Sequence, residues 1–502
     1  MKNGPSENYD VVVIGAGLGG LLCANILSHE GFSVCVLEKN NRIGGSIQSF
    51  ARNGVIFNTG LNFTESLGEG ETLNRYFKYF GVFDKLNIRR MDMDAFEKIS
   101  FTGDPVEYPF AQGKQNFVER LSACFPGERQ NLTAYVELME KACNSFPLFS
   151  LSESPDDSGK HQYLTTSAYD TLKGVTTNHK LQQVLAGTNS LYAGVEDSTP
   201  FYVHALICYS FMTSAWRLVD GSSQLAVQLA RKIEDFGGHI FKNAEVDCLG
   251  GSNRTIGFAR LKDGTRINGK HFISNLHPSL TVNLIEESLS KRGHRLRINS
   301  MQNTIGMFTL YVTFKEETFP YLNFNHHHFS EVNTWTTGYR ISDWPTHFMM
   351  YTPAVSRSEK WADSAIVITY MRYEEVEQWA DTAVGRRGES YHEFKNQKAG
   401  KLIDFVEKKL PGFKSSIKTF HTSTPLTYRD YTGTPEGSAY GILKNWKDPY
   451  AGLVSPRSRI PNLLYTGQNL NMHGILGVSI GSVLTCSELL GYEYLINKLK
   501  SF

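Results

Sequence analysis

The stretch YDVVVIGAGLGGLLCANILSHEGFSVCVLEKN, residues 9–40, decides the fold. Tyr9 to Ile14 is a β-branched run without polar alternation, the mark of a parallel strand buried on both faces. GAGLGG follows at once and sets Gly15, Gly17 and Gly20 in G-x-G-x-x-G order. LLCANILSHEG reads as a helix with Gly31 after its last turn, and FSVCVLEKN as a second strand ending in Glu38. Each part has a task in holding a dinucleotide. Gly15 permits the tight turn, Gly17 lets the backbone approach a pyrophosphate, and Gly20 lets helix pack on strand. The helix amino terminus offers unpaired N–H groups and a partial positive charge to phosphates. Glu38 can accept hydrogen bonds from a ribose hydroxyl. Ala16, Leu18, Gly19 and Lys39 complete the expected contacts of this unit.

The next residues choose the dinucleotide. KNNRIGGSIQSF places Arg42, Gly44, Gly45 and Ser46 directly after the second strand. This resembles the flavoprotein pattern in which an arginine and a Gly-Gly turn extend the pyrophosphate site, a guanidinium being able to pair two phosphate oxygens. FAD is therefore expected over NAD. No second G-x-G-x-x-G exists, so a stably bound NAD(P) domain is not expected.

The remainder reads as pieces of interrupted domains. Residues 217–248 supply a glycine turn, an amphipathic helix and a strand, and FARLKDGTRINGKHFISNL reads as a hairpin about Asp263-Gly264. The fold class expected is α/β: a discontinuous Rossmann-like FAD-binding domain with a parallel sheet and helices, an inserted α+β substrate domain, and a helical cap. The boundaries are 1–85, 217–300 and 461–502 for the cofactor domain, 86–216 for a largely helical insertion, and 301–460 for the substrate domain. SLSESPDDSGK at 150–160 reads as a polar loop. HHH at 326–328 reads as a polar strand end or loop, because adjacent histidines on a strand point to opposite faces and do not form a metal-ligand set.

Charge excludes one broad class of partner. With 51 basic and 50 acidic residues the chain has no nucleic-acid footprint. Its 31 Phe and 24 Tyr suit a core or a long apolar cavity. Seven scattered cysteines (Cys23, Cys35, Cys124, Cys143, Cys208, Cys248, Cys486) form no C-x-x-C pair, so reduced thiols and no metal are expected. The leader MKNGPSEN shows no signal peptide, and no apolar run reaches the roughly 18–20 residues that span a bilayer. The nearest, FYVHALICYSFMTSAW at 201–216, reads as a buried helix, a tunnel wall or a membrane-facing entrance. A cytoplasmic location is expected, with transient contact to a membrane surface compatible with it. Nothing in the sequence addresses oligomeric state.

PNLLYTGQNLNMHGILGVSIGSVLTCSELL, near the carboxy terminus, resembles the final cofactor motif of the phytoene desaturase, carotenoid isomerase and retinol saturase group of FAD enzymes. TSTPLTYRDYTGTPEGSAYGI (422–442) and GVIFNTGLNF (54–63) are similar to two further stretches of that group, with Asn58 where an acidic residue is more usual. The resemblance implies cofactor contacts from Gly60, Leu61, Val246, Asn275, Gly467, Gln468, Gly474, Leu476, Gly477 and Val478. It also places His473, Asn62 and Tyr440 near the flavin, as candidates for a proton donor, and a helix beginning near Gly474–Gly477 at the ring edge. The implied substrate is a long apolar polyene or isoprenoid, and the T-G-Q-N wording points to saturation. Desaturation or cis–trans isomerisation are the alternative reactions, and a prenyl-lipid-binding protein of the GDP-dissociation-inhibitor type is the non-enzymatic one. Amine oxidases and protoporphyrinogen oxidase share the amino-terminal motif.

Overall fold

The computed structural model describes residues 8–151 and 160–502. The leader and the centre of the polar stretch at 150–160 lie outside the described residues. Strand β1 (Asn8–Ile14), helix α1 (Leu18–His29) and strand β2 (Val34–Glu38) form where the amino-terminal pattern places them. The β1 valines are fully buried on both faces. Val11 and Val13 pack toward α1, whereas Val12 and Ile14 pack with Leu249, Ile256 and Phe272 on the other face of the same sheet. Each buried valine or isoleucine side chain contributes about 1.5–3 kcal/mol.

The first sheet runs in the order 239–242, 34–38, 8–14, 266–274, 255–261, 246–252, with strand 463–465 also joined to 266–274. Strand 266–274 is shared along its length. Its first residues pair antiparallel with the 255–261 hairpin arm, and Phe272–Ser274 pair parallel with Leu463–Tyr465. Ile14 faces Ser274 and Ser274 faces Tyr465. Three strands separated by some 450 residues of chain thus end side by side, and the turns that follow them share one edge. In an open parallel sheet that edge, beyond the strand carboxyl ends, is where ligands bind.

The second sheet runs 417–423, 306–314, 364–371, 347–351, 325–329, 97–101, 108–110. Its central strands, Gly306–Phe314 and Ser364–Met371, are buried at every position. Two departures from expectation occur here. Strands Glu97–Phe101 and Tyr108–Phe110 lie inside the segment read as largely helical, yet they complete this sheet. Their pattern is masked by Glu97, whose partners Asn325 and His327 come from far along the chain, and by Lys98, which pairs with Glu107. The second departure is His326–His328, which form the middle of a fully buried strand and not a polar end. His327 Nε2 meets Glu97 Oε2 at 2.7 Å, His326 meets Glu107 at 3.2 Å, and His328 lies 2.9 Å from Ser100 Oγ. Each histidine finds a partner on the parallel neighbour strand or its hairpin, although His326 Nδ1 has none.

Glu97 is wholly buried and also accepts from Asn325 Nδ2, which in turn receives Arg217 on its Oδ1 at 2.8 Å. Removing one member of such a cluster strands the others in a low-dielectric interior. Glu97→Ala is expected to lose about 3–5 kcal/mol in urea unfolding. A loss below about 1 kcal/mol would contradict this reading of the cluster.

Helices Lys114–Cys124, Arg129–Asn144 and Phe201–Thr213 build the cap. The last is the apolar run noted in the sequence, buried on nearly all faces. His204 at its centre is held between Tyr135 Oη (2.7 Å) and Tyr192 Oη (2.8 Å). All seven cysteines are free. No helix among the described residues is long and apolar enough to cross a membrane.

Candidate functional site

The three turns at the sheet edge open into one cavity of about 1990 Å³. Single small-molecule pockets run to about 300–1,000 Å³, so there is room for two ligands. Of the expected site residues, all line the cavity except Ala16, Gly20 and Arg42.

At the polar end, Gly15 has φ +93° after β1 and turns the chain into α1. No side chain caps α1, and its first turn holds no acidic residue. Its leading amides are therefore available to an anion. Ala16 and Gly20 serve from behind. Ala16 N–H donates to Glu38 Oε2 at 2.9 Å, and Gly20 sits against the Gly15 carbonyl. The other Glu38 oxygen accepts Asn40 N–H at 2.8 Å. The carboxylate thus first holds its own turn and retains lone pairs toward the cavity. Gly44 N–H donates to the Ala16 carbonyl at 2.7 Å, which brings Gly44, Gly45 and Ser46 to the same opening.

Arg42 is the departure. Its side chain is exposed and reaches the Ser49 carbonyl at 3.4 Å, away from the cavity. The turn is pinned by Gly44, so Arg42 two residues earlier faces solvent. Lys39 lines the cavity while its Nζ donates to the Asp430 carbonyl, and Asn40 donates to the Tyr431 carbonyl. These bonds draw helix Pro425–Thr432 over this end. Val246 and Asn275 also line the cavity, with Asn275 Nδ2 lying 3.5 Å from the Gly15 carbonyl.

At the far end, helix Gly474–Leu490 starts at the cavity. Its Leu476 N–H donates to Glu65 Oε1 at 3.1 Å. Glu65 is buried, lines the cavity, and burial pushes its carboxyl above the ordinary range. Sequence reading missed it. The only signal was a lone acid in FTESL, directly after the 54–63 stretch.

The three named candidates are placed together but are differently committed. His473 Nε2 lies 2.9 Å from the Leu191 carbonyl, which cannot donate, so that nitrogen carries the proton. Burial lowers the His473 pKa to about 4, leaving a neutral ring. The Tyr440 hydroxyl donates to the Ser190 carbonyl at 2.9 Å, and its ring packs at a tilt against His473, 4.3 Å between centres. Both protons are already given to the 190–191 turn. Asn62 lines the cavity, and its Oδ1 has no hydrogen-bond partner.

Beyond these groups the walls are apolar. Phe63 packs on Phe211 (4.7 Å between ring centres) and Tyr351 (5.6 Å), with Leu206, Ile207, Met349 and Ile368 around them. The buried-helix and tunnel-wall readings of 201–216 therefore both hold.

A family profile for an NAD(P)-binding Rossmann-like domain matches residues 13–80. Human all-trans-retinol 13,14-reductase is 24% identical over 536 residues, covering 96% of this chain and 86% of the relative. Prolycopene isomerase of Daucus carota, a chloroplastic protein, is 24% identical over 480 residues, covering 88% and 74%. Among solved structures, an oxidoreductase from Methanosarcina mazei superposes with a TM-score of 0.65 at 16% identity, over 94% of this chain and 98% of that one. Over nearly its whole length the chain is thus a relative of proteins named for retinol reduction and carotenoid isomerisation, oxidoreductases carried on a Rossmann-like dinucleotide-binding fold.

Proposed function

We propose that this chain is an FAD-dependent oxidoreductase that saturates a carbon–carbon double bond of a long apolar polyene or isoprenoid. The observation that carries the reading is the single cavity, with uncapped helix amides and close glycines at one end and aromatic and aliphatic walls at the other. The donor set fits FAD. In this reading the pyrophosphate lies against Gly15–Gly20 and Gly44–Ser46, the ribose at Glu38, and the adenine by Val246. Gly60, Leu61, Gly467, Gln468 and the 474–478 helix start serve the flavin. When bound, FAD supplies the hydride chemistry.

The protein's own residues do the rest. Helix amides and glycines bind the anion without a competing side chain. The aromatic walls exclude water and align a rod-like substrate, which converts an encounter into a held geometry. Neutral His473 and Tyr440, fixed by the 190–191 carbonyls, shape the passage between the two halves. Exposed Tyr450 and Leu453 on the cavity lining support entry of an apolar substrate from a membrane surface. Co-sedimentation with liposomes checks that point, and a protein that stays wholly in the supernatant counts against it.

The expected result is a yellow protein, or one turned yellow by added FAD. Reduced anaerobically and mixed with retinoids and carotenoids, it yields a product two hydrogens heavier by mass. Unchanged mass with altered double-bond geometry would assign isomerisation instead. Loss of two hydrogens under oxidising conditions would assign desaturation. Absence of flavin absorbance even with added FAD would favour a lipid-binding role.

A further inference from the structure

Four carboxyl groups are buried among the described residues: Glu38, Glu65, Glu97 and Glu375. Three are tied into the fold. Glu38 receives two backbone amides at the turn after its strand, Glu97 receives His327 and Asn325, and Glu375 receives Lys398 and Tyr339. Glu65 faces the cavity with neutral donors only. It accepts one helix amide, from Leu476, its own backbone amide, and the hydroxyl of its neighbour Thr64 at 3.2 Å. No cation is among the groups that act on it. It is also the buried acid nearest the apolar walls, two residues after Phe63 on the strand Thr64–Glu65.

Burial penalises the charged form of a carboxyl in that setting and no cation offsets the cost, so the shift favours the acid form. The elements packed about it do not change this. On helix Phe201–Thr213, His204 is held neutral by burial between two tyrosines, and Cys208 lies 3.4 Å from Thr188. On strand Ala215–Leu218, Arg217 turns to the Leu322 and Phe324 carbonyls and Asn325. Ahead of helix Gly474–Leu490, His473 is neutral. The group is nevertheless prepared for ionisation, since the Leu476 amide at the positive end of a 17-residue helix stabilises a carboxylate as it forms.

We propose that Glu65 is the proton donor of this site. The assignment rests on the saturase reading above. When bound, reduced FAD would supply a hydride, forming a C–H bond at one end of a conjugated system as its π bond breaks. The electron pair moves to the other end, where the Glu65 O–H bond breaks and its proton forms the second C–H bond. Flavin is left oxidised, the double bond saturated, and Glu65 a carboxylate held by Leu476 N–H and the Thr64 hydroxyl. Solvent then returns the proton. Unlike Tyr440 and His473, whose protons are given to carbonyls, Glu65 has a proton to spend.

Two measurements on the FAD-loaded full chain test this. The first is the infrared difference spectrum of wild type against Glu65→Gln at pH 7, read for a carboxylic-acid C=O band lost in the variant. The second is anaerobic reduction of retinol and carotenoid probes, with FAD and probe binding followed separately by absorbance. The expected outcome is a band present in wild type and saturation slowed about 10²–10⁴-fold in Glu65→Gln with binding retained. Glu65→Asp is expected to recover part of the rate, and the wild-type rate to fall at high pH. An absent band overturns the assignment even if the polyene is reduced. A wild-type rate in Glu65→Gln overturns it as well. A band in a wild-type protein that reduces no polyene overturns the saturase reading, and the donor role with it.

Discussion

Gly19→Ala protein is expected to bind FAD roughly 10–100-fold more weakly than wild type, and Gly19→Val to yield no loaded protein at all. Gly19 lies in the first turn of α1, and the chain that passes in front of it belongs to the carboxy-terminal motif. A Cβ added at Gly19 would stand 2.8 Å from Gly467 Cα, 2.9 Å from Gly467 N and 2.6 Å from Asn275 Oδ1. Two of those atoms are backbone, and Gly467 itself sits at φ +96°, so the turn has no easy route of retreat. Overpacking of this kind costs about 1–3 kcal/mol. The displaced residues, Asn275 and Gly467, line the cofactor end, so a cost of similar size in binding corresponds to roughly tenfold to a hundredfold in affinity. Gly400→Ala is the control. That glycine is exposed in helix Glu389–Lys409, meets nothing within 4 Å, and should gain about 0.5–1 kcal/mol of stability. Flavin titration and thermal melts of wild type and the three variants decide the matter. Equal FAD affinity in wild type and Gly19→Ala would show that the two glycine turns are not one clamp.

That clamp also marks where the sequence was legible. The β1–α1–β2 unit could be read because every cue is local: unbroken β-branched runs, glycines at fixed spacing, an acid at the strand end. The TGQN turn could be read as its partner only through resemblance, since nothing local says that Tyr465 pairs beside Ser274. Arg42 stands outside the cavity lining, on the Ser49 carbonyl, and the direction of an exposed side chain on a turn is not written in its spacing. The buried histidine strand was misjudged for a related reason. Three histidines look polar until Glu97, Glu107 and Ser100, more than 200 residues earlier, are laid beside them. Glu65 stayed invisible because its character comes from what it lacks, and the absence of a cation cannot be read from spacing.

Acid should unfold this protein well above the pH at which its carboxylates titrate. Burial holds five histidines neutral in the fold: His204, His328 and His347 with pKa values of about 3, and His277 and His473 of about 4. Their ordinary value is 6.5, so between pH 6.5 and about 4 the unfolded chain binds protons that the folded chain refuses. Stability therefore rises with pH across that window, is complete above 6.5, and is lost as pH falls. Each histidine contributes about 1.4 kcal/mol per pH unit once the solution is well below 6.5. Five acting together approach about 7 kcal/mol per unit, against a total stability of about 5–15 kcal/mol for a folded domain. Glu65 works in the opposite sense, since its raised carboxyl pKa favours the fold as pH drops, but it is one group against five. A cooperative loss of structure near pH 5 is expected by circular dichroism, steep enough to show uptake of several protons. His347→Gln, which removes a ring packed 4.3 Å from Tyr370, should reduce that steepness by about one proton even as it lowers stability at pH 7. A melting temperature that stays flat from pH 7 to pH 5 would mean that these rings are not held neutral, and that the interior around the second sheet admits charge.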